Sequence, residues 1–169
     1  MRISKEESPV AEGENKRVVA RLWQALYAKD WDGVAALIAE RGHYEDVPTP
    51  DPGATGPQNV VKRLRSGLDH VERFEHEIHR VVADGDTVVV EHTEIWHFPT
   101  GEKLTNDFVT IHEVRNGKVE LWRDYWDLGR MMAQAPKWWI EKLAQHDASE
   151  WQAAEGRAQR GAAERRSEK

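Results

Sequence analysis

The chain has 169 residues, a formal net charge of −6 and no cysteine, which fits one domain with tails and excludes a disulfide framework, a thiolate nucleophile and a cysteine-ligated metal. Its charges are mixed and only mildly acidic, which argues against nucleic acid or a membrane surface as a partner. No apolar run approaches the ~20 residues needed to span a bilayer, and the polar first residues lack a signal-peptide core, so a cytoplasmic protein is expected.

Residues 1–13 read as a disordered leader, 14–146 as the domain, and 147–169 as a charged, disordered tail without an apolar face. Eight tryptophans point to large apolar surfaces in a core, pocket or interface. Val18, Val19, Leu22, Trp23, Leu26 and Tyr27 recur at helical spacing and predict an amphipathic helix over 15–28. A second helix starts at Asp30-Trp31-Asp32, with Val34, Leu37 and Ile38 as its buried stripe and Gly42 beyond its end. A short extended piece from His43 to Val47 leads into a turn-rich loop, Pro48 to Gly53. Pro57 suits the first turn of a third helix carrying Val60, Val61, Leu64 and Leu68.

Four strands follow, from Phe74 to Ala83, Thr87 to Phe98, Leu104 to Val114 and Gly117 to Leu128. Asp84-Gly85, Pro99-Thr100-Gly101 and Asn116-Gly117 are hairpin signals between them, so the sheet should be largely antiparallel. Arg130 to Ala135 and the stretch opened by Pro136 predict closing helical turns. Helices first and a strand meander afterwards give an α+β class: one curved sheet closed by helices.

Two strand faces carry the chemistry. Side chains alternate along a strand, so Trp122, Asp124 and Trp126 share one face of the last strand. If that face is the core, loss of hydration raises the Asp124 pKa and makes it a base poised nearer neutrality. The alternative is a solvated Asp124 or a structural ion pair. On the second long strand Val88, Val90, His92, Glu94, Trp96 and Phe98 fall on one face, where His92 and Glu94 interrupt apolar residues. Buried polar groups are costly unless paired, so these two form a structural pair or perform a task. As ligands, His92, Glu94 and Asp124 include only one histidine, a weak set for a metal. His76 and His79, three apart on a strand, face opposite ways. Tyr44 and Asp46 share a face beside the proline-rich loop.

The Tyr44-Glu45-Asp46-Val47-Pro48 segment, Pro99-Thr100-Gly101 and Trp122-Arg123-Asp124-Tyr125-Trp126-Asp127 resemble the nuclear transport factor 2-like superfamily. Within it the chain is similar, over about 14–132, to SnoaL-like and limonene-1,2-epoxide hydrolase-like enzymes. The resemblance implies a cone-shaped barrel with an apolar pocket, often dimeric through the sheet's outer face. By position it implies that Asp124 matches the carboxylate that activates water in the epoxide hydrolases, and Tyr44 the tyrosine that helps hold that water. Asp46 stands where those enzymes have asparagine, His92 where they have arginine, and Glu94 where they have the aspartate that protonates the epoxide oxygen. Without the arginine that links the two carboxylates, the His–Asp pair is more similar to the SnoaL-like cyclases, dehydratases and isomerases.

The leading expectation is thus a cofactor-free acid–base enzyme acting on a small apolar molecule such as a polyketide or terpenoid. Asp124 is the base, His92 the acid or orienting partner and Glu94 a second acid. Tyr44 and Asp46 place water or substrate, and Val90, Trp96, Phe98, Trp122 and Trp126 line the pocket. Epoxide hydrolysis and a non-catalytic ligand-binding or dimerising module are the alternatives. An outer sheet face carrying Val89, Ile95, Val109, Ile111, Leu121 and Tyr125 predicts a homodimer.

Overall fold

The computed structural model describes residues 9–152. Helix α1 spans Pro9–Tyr27, and its predicted stripe of Val18, Val19, Leu22, Trp23 and Leu26 is buried throughout. The helix starts earlier than the hydrophobic periodicity does, so Pro9–Gly13 are helical rather than part of a disordered leader; residues 1–8 lie outside the described residues. Helix α2, Trp31–Leu37, is capped by the Asp30 carboxylate, which accepts from the Gly33 N–H at 2.9 Å.

Strand β1, Ile38–Asp46, follows α2 without a loop. Ile38, assigned from its spacing to the helix, is the first residue of the strand. Gly42 likewise does not end a helix. A Cβ there would lie 2.6 Å from the Val119 carbonyl oxygen, so the glycine permits close approach of β1 to the last strand. A two-residue strand β2, Ala54–Thr55, and helix α3, Pro57–Leu68, come next. The meander consists of β3 (Arg73–Asp84), β4 (Thr87–His97), β5 (Lys103–Arg115) and β6 (Lys118–Trp126). Helices α4, Leu128–Gln134, and α5, Lys137–Leu143, close the chain before a single 3-10 turn at Ala148–Glu150.

The six strands form one open, curved sheet in the order β2-β1-β6-β5-β4-β3. The meander is antiparallel as the hairpin signals require, but β1 pairs with β6 in parallel, joining segments that no local turn connects. That register sets Tyr44 beside Trp122 and Asp46 beside Asp124. Alternation holds on β4, where Val88, Val90, His92, Glu94 and Trp96 are buried while Glu91, Thr93 and Ile95 lie on the other, more open face. The helices pack against the inner face, so these residues face the core.

The C-terminal stretch is not wholly a tail. Trp151 is buried at 5% exposure, and its indole N–H reaches the Asp51 carboxylate at 3.5 Å. Residues 147–152 therefore belong to the domain, because one large aromatic residue is enough to anchor a segment whose charged sequence has no apolar periodicity; residues 153–169 lie outside the described residues. No helix among the described residues is long and apolar enough to cross a membrane.

Candidate active site

Between the helices and the inner sheet face lies a cavity of about 520 Å³, within the range typical of small-molecule sites. Tyr44, Asp46, Glu94, Trp96, Trp122, Asp124 and Trp126 line it as their strand faces predict. Val90 and Phe98 do not. Val90 is covered in the core, and Phe98 packs edge-on against Trp138 and Trp139. His92 also lies behind the wall rather than on it, with Trp23 at 4.7 Å and Phe108 at 5.2 Å between ring centroids. Strand alternation identifies the sheet face correctly, but it does not say which residues the α1 side chains cover.

Asp124 sits in the floor at 5% exposure. Its Oδ1 accepts from the Thr110 hydroxyl at 2.6 Å and from the Trp122 indole N–H at 2.8 Å. No described protein group donates to Oδ2, the oxygen left for the cavity that Asp124 lines. Burial and then the neighbouring Asp46 raise the Asp124 pKa well above the ordinary range, against the two hydrogen bonds that favour its anion. The Trp–Asp–Trp face thus produces the desolvated carboxyl expected from sequence, with one of the two indoles bonded to it.

Glu94 stands across the same cavity at 5% exposure. Tyr27 donates to its Oε1 at 2.6 Å and Trp96 donates to its Oε2 at 2.6 Å. Burial outweighs both hydrogen bonds and lifts Glu94 to about 7. A carboxyl near 7 is half protonated in neutral solution, so it can give a proton to a substrate oxygen and be recharged.

Asp46 differs from both because it has a cation. Arg63 Nη1 on α3 contacts Asp46 Oδ2 at 2.6 Å, and its Nε contacts Asp51 Oδ2 at 3.1 Å. Tyr44 donates to Asp46 Oδ2 at 3.0 Å and Trp126 donates to Oδ1 at 2.7 Å. The guanidinium also stands 4.9 Å from the centroid of the Tyr44 ring, a cation–π distance. Burial and then Asp46 push the Tyr44 pKa well up, so its phenol stays neutral and its oxygen can still accept. Arg63 was not recognised from sequence, although it falls three residues after Val60 on the buried stripe of α3. A cation at such a position signals an internal anion.

The expected direct pairing of His92 with Asp124 does not occur. Thr110 stands between them, with its Oγ1 2.9 Å from His92 Nε2 and 2.6 Å from Asp124 Oδ1. Burial, followed by the adjacent His76, His112 and His79, lowers His92 to about 3, so it is neutral and does not serve as a cavity acid. Among the described residues, no three histidine and carboxylate side chains come together to hold a metal ion.

The cavity therefore holds a carboxyl with a free oxygen, a second carboxyl near neutrality, and a third carboxylate fixed by an arginine. Residues 19–122 match the family model of the SnoaL-like domain. The chain is 31% identical over 106 residues to the epoxide hydrolase EphG of Mycobacterium tuberculosis, covering 62% of this chain and 67% of that protein. It is also similar to the solved structure of an M. tuberculosis LEH-like epoxide hydrolase, with 28% identity, a TM-score of 0.64, and 79% and 94% of the two chains covered. A SnoaL-like polyketide cyclase structure from Jannaschia, so described by its investigators as a provisional assignment, shares the fold at 20% identity and a TM-score of 0.67, over 79% of this chain and 99% of that one. On the family match and the shared cone fold together, the chain belongs to the SnoaL-like domain family.

Proposed function

We propose that the protein is a cofactor-free acid–base enzyme that hydrolyses an epoxide on a small, mostly apolar molecule. The observation that carries this reading is the placing of Asp124 and Glu94 on one aromatic cavity, one with a free carboxylate oxygen and the other lifted to about 7. Asp124 Oδ2 takes a proton from water, and the water oxygen attacks an epoxide carbon. The carbon–oxygen bond breaks, its electron pair stays on oxygen, and Glu94 supplies the proton that completes the diol. Tyr44 donates to Asp46, so its oxygen is free to accept the second water hydrogen. Arg63 holds the negative charge of Asp46 in place, so two adjacent aspartates can share one wall.

The similarity to an epoxide hydrolase supports hydrolysis over the cyclase and isomerase chemistry expected first from sequence. So does the position of His92 behind the wall, because that expectation rested on a His–Asp pair in the pocket. Turnover of a panel of apolar epoxides in ¹⁸O-labelled water tests the reading. A diol carrying one label per molecule is the expected product. No turnover of any epoxide, or ring-opened product without label, would overturn it.

Assembly follows from the outer face. Val109, Tyr125 and Val82 are 42%, 39% and 51% exposed there, more clustered apolar surface than a monomer usually leaves open. The proposed remedy is a two-fold dimer through that face. Light scattering at micromolar concentration should give twice the chain mass, and a monomer mass would reject the dimer.

A further inference from the structure

Three side chains that take no part in lining the cavity form an unbroken chain behind its wall. Thr110 Oγ1 donates to Asp124 Oδ1 at 2.6 Å, His92 Nε2 lies 2.9 Å from Thr110 Oγ1, and His76 Nε2 lies 3.0 Å from His92 Nδ1. One end fixes the direction of the rest. The Asp124 carboxylate only accepts, so the Thr110 hydrogen points toward it and the Thr110 oxygen must accept from His92 Nε2–H. A neutral His92 then has Nδ1 as its acceptor, and His76 donates from Nε2.

We propose that Thr110, His92 and His76 are a proton relay connecting the Asp124 carboxyl to solvent at the open edge of the sheet, by a route separate from the substrate cavity. His76 sits on β3, the edge strand, and is half-buried. None of its other contacts among the described residues is a hydrogen bond, which leaves Nδ1 for water. The relay rests on the hydrolase reading only in what it serves: after water attack Asp124 holds a proton that must leave before the next turnover. Every member both donates and accepts, so the chain can reverse as a unit. The carboxyl first turns about its Cβ–Cγ bond, exchanging its two oxygens so that the protonated one meets Thr110. The Asp124 proton then passes to Thr110, the Thr110 proton to His92 Nε2, the His92 Nδ1 proton to His76 Nε2, and the His76 Nδ1 proton to water. One proton crosses and no electrons are transferred. With Asp124 ionised, the hydrogen-bond directions are those left after that departure.

The surroundings suit such a path. Burial lowers His92 to about 3 and His76 to about 4, so both remain neutral and keep one acceptor each. Trp23 and Phe108 pack on His92, and Tyr27 lies 4.4 Å from the His76 ring, which keeps loose water out. The other groups facing the path are Glu94, 3.8 Å from His92 Nδ1, and the buried His112 and outward His79, which lower His92 through their charge.

The test pairs kinetics with a substrate-free measurement. In weak buffer His76→Ala should lower kcat roughly 10- to 100-fold with kcat/KM nearly unchanged, because reset follows product formation. Added imidazole should restore kcat. A kcat within about twofold of the wild type, a matching fall in kcat/KM, or a loss that imidazole does not repair would each overturn the relay. At a pH where Asp124 is ionised, nitrogen-15 NMR of the unsubstituted protein should find His92 and His76 as Nε2–H tautomers, whereas Nδ1–H at His92 under that condition would overturn the relay. A protein inactive on epoxides but with both tautomers as expected would remove the hydrolase reading and keep the relay.

Discussion

On the proposed hydrolase reading, replacing Asp124 with asparagine is expected to lower epoxide turnover about 100- to 10,000-fold, the range associated with a lost general base. The substitution isolates the chemistry. Asparagine can place its oxygen where Oδ1 accepts from Thr110 and Trp122, and present its amide to the cavity in place of Oδ2. Shape and hydrogen bonding survive, and only the proton acceptor is lost. The stability effect has the opposite sign. The folded-state pKa of Asp124 is raised, so its favourable contribution is complete below the ordinary aspartate value near ~4 and declines as pH rises through the folded value. Asparagine carries no such penalty. The variant should therefore melt higher than the wild type, with a gain larger at pH 8 than at pH 5. Activity within about twofold of the wild type, or unfolding of the variant, would make Asp124 a structural residue.

Arg63→Met should cost about 3–5 kcal/mol of unfolding free energy, the usual result of stranding one member of a buried ion pair. Arg63 and Asp46 have side-chain exposures of 9% and 16%, so little water is available to replace the lost cation. Methionine keeps much of the volume against Tyr44 and removes only the charge and its hydrogen bonds. For a domain with ~5–15 kcal/mol of total stability this is a large share. Urea denaturation of the double variant Arg63→Met, Asp46→Asn separates the causes. Most of the loss should be regained, because the uncompensated anion has gone. A loss below about 1 kcal/mol in the single variant would mean that the pair behaves like a surface salt bridge.

What the sequence made legible was what repeats locally. Period-two alternation on β4 and β6 put Glu94 and Asp124 on one inner face, and turn residues placed the three hairpins. Partners whose residue type looks ordinary in its element were missed. Thr110 is a common strand residue, and nothing in its spacing says that it separates His92 from Asp124. Tyr27 reads as the end of an apolar helix stripe, yet its hydroxyl binds Glu94. Ile38 satisfies both periods, being four residues from Val34 and also the first residue of β1, so spacing alone does not show that the helix ends at Leu37. The C-terminal Trp151 stood alone, and a single aromatic residue carries no period at all.

The parallel pairing of β1 with β6 has a kinetic consequence. Asp46 receives its Trp126 hydrogen bond from a residue 80 positions later in sequence, whereas the hairpins of the meander close over short turns. Such a distant contact forms only after the entropy of a long loop has been overcome, and contacts of this kind slow folding. The meander can zip up from its turns with Asp124 and Glu94 already in place while Asp46 and Tyr44 are still absent. A nascent or partly refolded chain would then have half of the candidate pocket, with an aromatic floor open to water. Recovery of activity on refolding should lag behind formation of the sheet, at a rate set by the arrival of β1.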